Sequence, residues 1–356
     1  MLVRSKTHAA QRGQMIVLMA LTLTVSVLMV GLVIDGGTAL AQRRAAQNAS
    51  DFAALAGARI VAEAIGGDAA NGTDGNVLAA IRNAVKSNGG VPIAFGAPNG
   101  PRYVDRNGGL LGYVGSGVIP SGAVGVKVSS SRDWTPYFLG LIGFSRWSAA
   151  ADATAKGGYA DGGPGDALFP VGIAENFFNT FKFCSGDISS TPGDACYPKH
   201  LTPGNLNVPG GFGWLKFGCD GYGLGQDPPA NNGGCGDSIP FLASEIGPPA
   251  NSYGCCTAVG LTGSLDRIGN LPGNKVSADC SYYIDHEITV TVPVWDTAGG
   301  SGQNAWYHII GYAGFQLTGC TGGKDIEGVW RKAFFTGPTT STPGFPGAAL
   351  GVELVR

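Results

Sequence analysis

"MIVLMALTLTVSVLMVGLVIDGGTALAQRRAAQNASDFAALAGA", residues 15–58, holds two kinds of helix in one run. Its first twenty residues, Met15 to Ile34, carry no charge. At about 1.5 Å per residue they reach roughly 30 Å, the thickness of a bilayer's hydrocarbon core. The continuation is helical in a different way, alanine-rich with Arg43, Arg44, Gln47, Asn48 and Asp51 set into it. On a wheel of about 100° per residue, Ala46, Ala49, Ala53, Ala56, Gly57, Ile60 and Ala64 share one face. A face of such small residues lets a backbone or a sheet approach closely. Arg44, Gln47, Asn48 and Asp51 fall opposite, and Leu55 ends that stripe. The polar stripe is either a solvated helix face or a contact for a partner through Gln47, Asn48 and Asp51. The spacing predicts one helix from about Arg12 to Ala64, half in a membrane and half the spine of an external domain, with Gly36-Gly37 the place for a kink.

Charge and cysteine placement orient the span. Arg4, Lys6 and Arg12 precede it, and Arg43 and Arg44 follow, a bias toward an N-terminus inside the cell. All eight cysteines lie far beyond it: Cys184, Cys196, Cys219, Cys235, Cys255, Cys256, Cys280 and Cys320. An even number spread through Gly- and Pro-rich loops reads as disulfides in an oxidising compartment, which an N-in chain would provide. Cys184–Cys196 and Cys219–Cys235 are the expected local pairs, leaving Cys255, Cys256, Cys280 and Cys320 to pair among themselves. A metal site is not expected, because there is no C-x-x-C and no Cys/His pair at ligand spacing. "ALA" at 39–41 resembles a signal-peptidase site, but signal h-regions run about 7 to 15 residues. A retained anchor is the expectation.

Composition describes the rest. Gly makes up 60 of 356 residues and charged residues only 13 %, against about 7 % and 25 % in ordinary soluble domains. Short apolar runs between Gly, Thr, Ser, Asn and Pro indicate a loop-rich β protein. Residues 1–156 hold 14 Lys/Arg against 8 Asp/Glu, and residues 157–356 hold 9 against 17. An acidic distal half without basic runs gives no footprint for nucleic acid.

Residues 12–64 resemble the N-terminal segment of TadE/TadG-like proteins of the Tad (Flp, tight adherence) pilus system. The resemblance rests on Arg12-Gly13 before the span, Asp35-Gly36 at its exit, and the helix Gln47-Asn48-Ala49-x-Asp51-x-Ala53-Ala54-Leu55-Ala56-Gly57-Ala58. It continues loosely through "VGVKVSSSRDWTPYFLGLIGFSRWSAAADATAKG", similar to that family's strand, short helix and alanine-rich strand. The resemblance implies a membrane-anchored envelope protein of a prokaryote, its bulk outside the cytoplasmic membrane, acting through contacts with other pilus-apparatus proteins. Pilins of that system carry a Glu five residues after the processed Gly. Here that position is Leu18, so processing and assembly into a shaft are not expected. Some relatives carry a D-x-S-x-S metal motif, whereas "DISST" at 187–191 reads as a polar loop.

The expected class is α+β: a long transmembrane helix forming the spine of a pilin-like domain, then a β-rich, disulfide-stapled distal domain. The expected divisions are a cytoplasmic 1–14, the span 15–34, a pilin-like domain 35–156, a linker 157–166 and a β-rich extracytoplasmic domain 167–356. "GNVLAAIRNAVKSNG" (75–89) has helical spacing at Val77, Leu78, Ile81 and Val85. "RYVDRNGGLLGYV" reads as a hairpin turning at Asn107-Gly108. "AVGVKVSS" is a strand, Pro136 opens a short helix ending near Gly143, and "RWSAAADATAK" returns as a strand. In the distal domain, "ITVTVPVWD" aims Ile288, Val290, Val292 and Val294 one way, with Pro293 marking an edge or strand end. "WYHIIGYAGFQLTG" and "ALGVELV" are further strands.

Catalytic motifs are missing from the sequence: there is no G-x-S-x-G, H-E-x-x-H, P-loop or EF-hand loop. "DHE" at 285–287 opens a strand whose neighbours alternate faces, and a structural role is expected for it. Neither an enzyme nor a cofactor is expected, and a small-molecule ligand is disfavoured. A second reading makes the distal domain an adhesin or ligand binder, with Trp214, Trp295 and Trp306 as a stacking surface. Core positions are the more ordinary place for such aromatics.

Overall fold

The computed structural model describes residues 8–92, 100–161, 169, 171–178, 183–201, 215–216, 267–270, 280–299, 306–321, 325–337, 339–340 and 348–355. A single helix, α1 (His8–Ile65), runs through both halves of the opening stretch without a break at Gly36-Gly37. Its length is roughly 87 Å at the α-helical rise. From Met15 to Val30 every side chain is exposed. The few hydroxyls there bond back to their own helix: Thr22 Oγ1 donates to the Leu18 carbonyl at 3.0 Å, Thr24 Oγ1 to Ala20 at 2.9 Å and Ser26 Oγ to Thr22 at 2.8 Å. A helix that is apolar all round and satisfies its own polar atoms suits hydrocarbon. By length and composition α1 can cross a membrane.

Past the span the helix becomes a spine. α2 (Asp74–Ser87) packs along it, capped by Thr73, whose side chain accepts from the Asn76 amide, and burying Val77, Ile81 and Val85. Strands β1 (Val91–Pro92), β2 (Arg102–Val104), β3 (Leu110–Tyr113), β4 (Gly125–Trp134) and β5 (Trp147–Ala160) follow. The hairpin between β2 and β3 turns through Gly108 at φ +86°. A 3₁₀ turn, Leu139–Ile142, ended by Gly143 at φ +103°, joins β4 to β5.

The distal strands are β6 (Ile173–Ala174), β7 (Lys199–Leu201), β8 (Leu215–Lys216), β9 (Arg267–Asn270), β10 (Thr289–Gly299), β11 (Trp306–Thr321) and β12 (Asp325–Arg331). They form a second sheet in the order β6-β10-β11-β12-β7, with β9 also on β11 and β8 on β9. Pro293 lies inside β10, opposite Tyr312 and next to a register shift at Val294/Trp295. Among the described residues, its other side carries β6 at Val294 and Trp295 and the Phe169 amide, which donates to the Thr291 carbonyl at 2.7 Å. Both faces of β10 are covered, since Thr291 is buried along with Val290, Val292 and Val294.

The chain then returns. β13 (Phe334–Thr336), β14 (Thr339–Thr340) and β15 (Leu350–Val355) join the first sheet, whose order is β13-β15-β5-β4-β2-β3. β15 runs antiparallel to β5 from Leu350↔Tyr159 to Val355↔Thr154. "ALGVELV", expected in the distal domain, therefore completes the domain on the spine. β5 likewise continues through Gly157–Ala160, so the first residues of the expected linker are sheet, while 162–166 lie outside the described residues. A flexible connector is read from Gly-rich composition. Here the glycines serve packing, because a Cβ on Gly157 would meet the Ala58 carbonyl oxygen at 2.3 Å.

Two main cores result. Ala53, Ala54, Ala58, Val61, Ile81, Tyr103, Val126 and Ala155 fill the space between the helices and the first sheet. Phe169, Ile173, Val292, Phe315 and Trp330 are among those filling the second. A smaller cluster, including Ala160, Trp295, Tyr307, Tyr312 and Ala349, forms where the sheets meet. The whole has the α+β character expected.

Candidate partner-contact face

The buried stripe of α1 is Ala46, Ala49, Ser50, Ala53, Ala54, Gly57, Ala58, Val61 and Ala62. Its centre is turned roughly 60° round the helix from the wheel's face. Ala56, Ile60 and Ala64 lie at its border, half-buried, and Ser50, Ala54, Ala58 and Val61 are at its middle. Close approach sets this geometry: a Cβ on Gly57 would meet Val126 Cγ2 at 2.8 Å. Two buried serines lock the register between helix and sheet. Ser130 Oγ donates to the Ala46 carbonyl at 2.9 Å and Ser50 Oγ to the Ala151 carbonyl at 2.8 Å. Ser50 Oγ also accepts from the Ser130 amide at 3.1 Å. Each hydroxyl carries one proton, so those two donations use both.

The turn of the stripe moves the polar residues from the far side to its flank. Gln47 Nε2 donates to Asp51 Oδ1 at 2.7 Å and approaches the Asp152 carbonyl of β5 at 3.3 Å. Asp51 is half-buried and Gln47 exposed, and Gln47 ties Asp51 to β5. Asn48 faces solvent. The residue that sequence patterning missed is Phe52, 55 % exposed on the outer face one turn beyond Asn48. An apolar side chain one step from the stripe was the available signal.

Asp35, at the end of the span, is wholly buried. Its carboxylate accepts from the amides of Tyr137 at 2.7 Å, Phe138 at 3.0 Å and Leu139 at 2.7 Å, at the start of the 3₁₀ turn between β4 and β5. Asp74 does the same for another loop, accepting from Tyr103 Oη at 2.7 Å, Gly115 N at 2.9 Å and Gly117 N at 2.7 Å. Burial, then the Asp74 bond, pushes the Tyr103 phenol well above its ordinary range.

Cys184 and Cys196 are bonded, with Cα atoms 4.5 Å apart, and so are Cys280 and Cys320 at 5.9 Å. The first loop is pinned to β12, where Arg331 Nη1 donates to the Gly186 carbonyl at 2.6 Å. Cys219, Cys235, Cys255 and Cys256 lie outside the described residues, as does Trp214. Asp187–Thr191 is loop, and among the described residues no cluster of three His, Cys, Asp or Glu could hold a metal. Trp295 is buried with its ring 5.1 Å from that of Tyr307, so it belongs to the core between sheets. Asp285, His286 and Glu287 end a short helix and turn into β10 rather than opening the strand. His308 Nδ1 meets Asp296 Oδ1 at 2.6 Å across β10 and β11.

No curated protein and no solved structure matches the chain. One family model does, that described as "Putative Flp pilus-assembly TadE/G-like", over residues 13–59. Those residues take in the exposed apolar span, Asp35 with its amide ligands, the serine-locked stripe and the outward Asn48 and Phe52. Residues 13–59 are thus similar to the TadE/G-like segment described for Flp pilus assembly, on a helix long and apolar enough to cross a membrane that continues as the spine of the domain following it.

Proposed function

We propose that this chain is a non-catalytic, membrane-anchored envelope protein of a Tad/Flp-type pilus assembly apparatus, working through protein contacts. The N-terminus lies in the cytoplasm, α1 crosses the cytoplasmic membrane once, and both sheets stand outside it. The charges flanking the span and the two disulfides support this orientation.

The observation that carries the reading is the outer face of α1. One face of the matched segment is used up by the sheet, yet roughly 20–26 Å of helix beyond Asp35 the opposite face leaves Asn48 and Phe52 in solvent. An exposed aromatic beside a polar amide on a rigid helix is the kind of anchor that protein interfaces use. Gln47 and Asp51 form the rim of this contact. Phe52→Glu is expected to remove the contact and leave the fold intact, since among the described residues Phe52 is more than half exposed. Wild-type and Phe52→Glu chains purified from native membranes in mild detergent test it. The reading expects pilus-apparatus proteins with the wild type and their loss with the variant, at equal melting temperature. Equal recovery with both chains would contradict the assignment of this face.

A further inference from the structure

The tip joining β4 to β5 has no use in the contact just described. Among the described residues beyond α1, only four large apolar side chains are more than half exposed. Three of them are on this one tip: Tyr137 at 70 %, Leu141 at 83 % and Phe144 at 55 %. The tip is also held at a definite place on α1. Asp35 grips its amides, and Phe138 lies against Gly31, where a Cβ would meet the Phe138 ring at 2.8 Å. Gly31 is inside the apolar span, one helical turn before its end. Leu141 is three residues from Phe138, about 6 Å along a 3₁₀ turn. Behind the tip, Trp134 and Trp147 pair edge to face, ring centres 6.1 Å apart, where the strands begin.

We infer that this tip is a membrane-seating element, its Tyr137, Leu141 and Phe144 buried in the interface of the leaflet from which α1 emerges. The inference rests on α1 being membrane-spanning. Continuity decides the occupant: a patch fixed against the last turns of the span is at the depth of the lipid interface. Apolar side chains backed by Trp and Tyr are the composition that this layer accepts. Asp35 sets the angle between bilayer and domain, since one carboxylate holds the loop to the helix at the membrane surface. The outward-facing helix above it is then presented at a fixed height and tilt.

Photo-crosslinking in vesicles tests this. The full chain is reconstituted in phosphatidylcholine and phosphatidylglycerol, with p-benzoylphenylalanine replacing Val25, Leu141 or Val118 in turn. Val25 lies in the span and reports whether α1 is in the bilayer. Val118 is the fourth exposed apolar residue and lines a surface pocket together with Val61, roughly 39 Å of helix beyond Asp35. The result expected is lipid adduct from 141 comparable to that from 25 and about tenfold above that from 118. Adduct from 25 with none from 141, or adduct from 141 only to a second copy of the chain, overturns the seating element and leaves the span standing. No adduct from 25 overturns the span, and the seating element with it.

Discussion

Asp35 shows how much a single carboxylate can organise. Buried with three amides around it, it would leave them unpaired if replaced by Ala, at a cost of about 1–3 kcal/mol. Asp35→Ala is expected to lower the melting temperature and to speed hydrogen exchange at Tyr137–Leu139 specifically. An unchanged exchange rate there would mean that the loop holds itself. The small residues make a sharper contrast. Ala54→Leu places three extra heavy atoms between α1 and the sheet, an overpacking of about 1–3 kcal/mol. Ala56→Leu, on the half-buried border, is expected to cost clearly less. Equal melts for the two would contradict the stripe as described. Asp68 is held below the usual carboxylate range, chiefly by its bond from Lys332 Nζ at 2.7 Å. Since its folded pKa is depressed, the contact stabilises above the ordinary carboxylate pKa near 4 and is lost as pH falls further. The difference in melting temperature between wild type and Asp68→Asn should therefore be present at pH 7 and shrink below pH 4.

At the scale of elements, what the sequence discloses depends on how local the cause is. α1 announces itself because twenty residues lack a charge, and α2 because Val77, Ile81 and Val85 recur at helical spacing before Gly89. The β2–β3 turn is legible because Asn107-Gly108 supplies the positive φ that it needs. The return of β15 to β5 is not legible, for nothing in "ALGVELV" distinguishes one sheet edge from another. The phase of the helix stripe is hidden for a related reason. Alanine, glycine and serine differ little in hydrophobicity, so the wheel cannot tell which of two overlapping small faces is buried, and the close approach of Gly157 to Ala58, which lies on only one of them, decides it. Asp35 could be read as a span-exit residue but not as a loop clamp, because its partners are backbone amides about a hundred positions away. The disulfide at Cys184 and Cys196 closes a short loop and should stabilise by about 3 kcal/mol on chain-entropy grounds. Replacing both cysteines with Ser should lower the unfolding free energy of the second sheet by that amount, read by denaturant titration.

At the scale of the whole molecule, one helix, apolar and long enough in its first half to cross a bilayer, carries a two-sheet body in its second, and the body depends on the helix. Cleavage after Ala41 would remove Asp35 and the turns that seat the loop. The protein in native membranes is accordingly expected to keep its N-terminal segment, which intact-mass measurement reads directly. The proposed contact lies on the outer face of α1 at Phe52, roughly 26 Å of helix beyond Asp35. It is tested most directly in living cells, by photo-crosslinking from p-benzoylphenylalanine in place of Phe52. An adduct between this chain and another protein of the pilus assembly apparatus is expected, absent when the probe is moved to Val118, which is exposed beside Val61. Position 52 yielding no protein adduct, while the chain remains folded and membrane-bound, would contradict it.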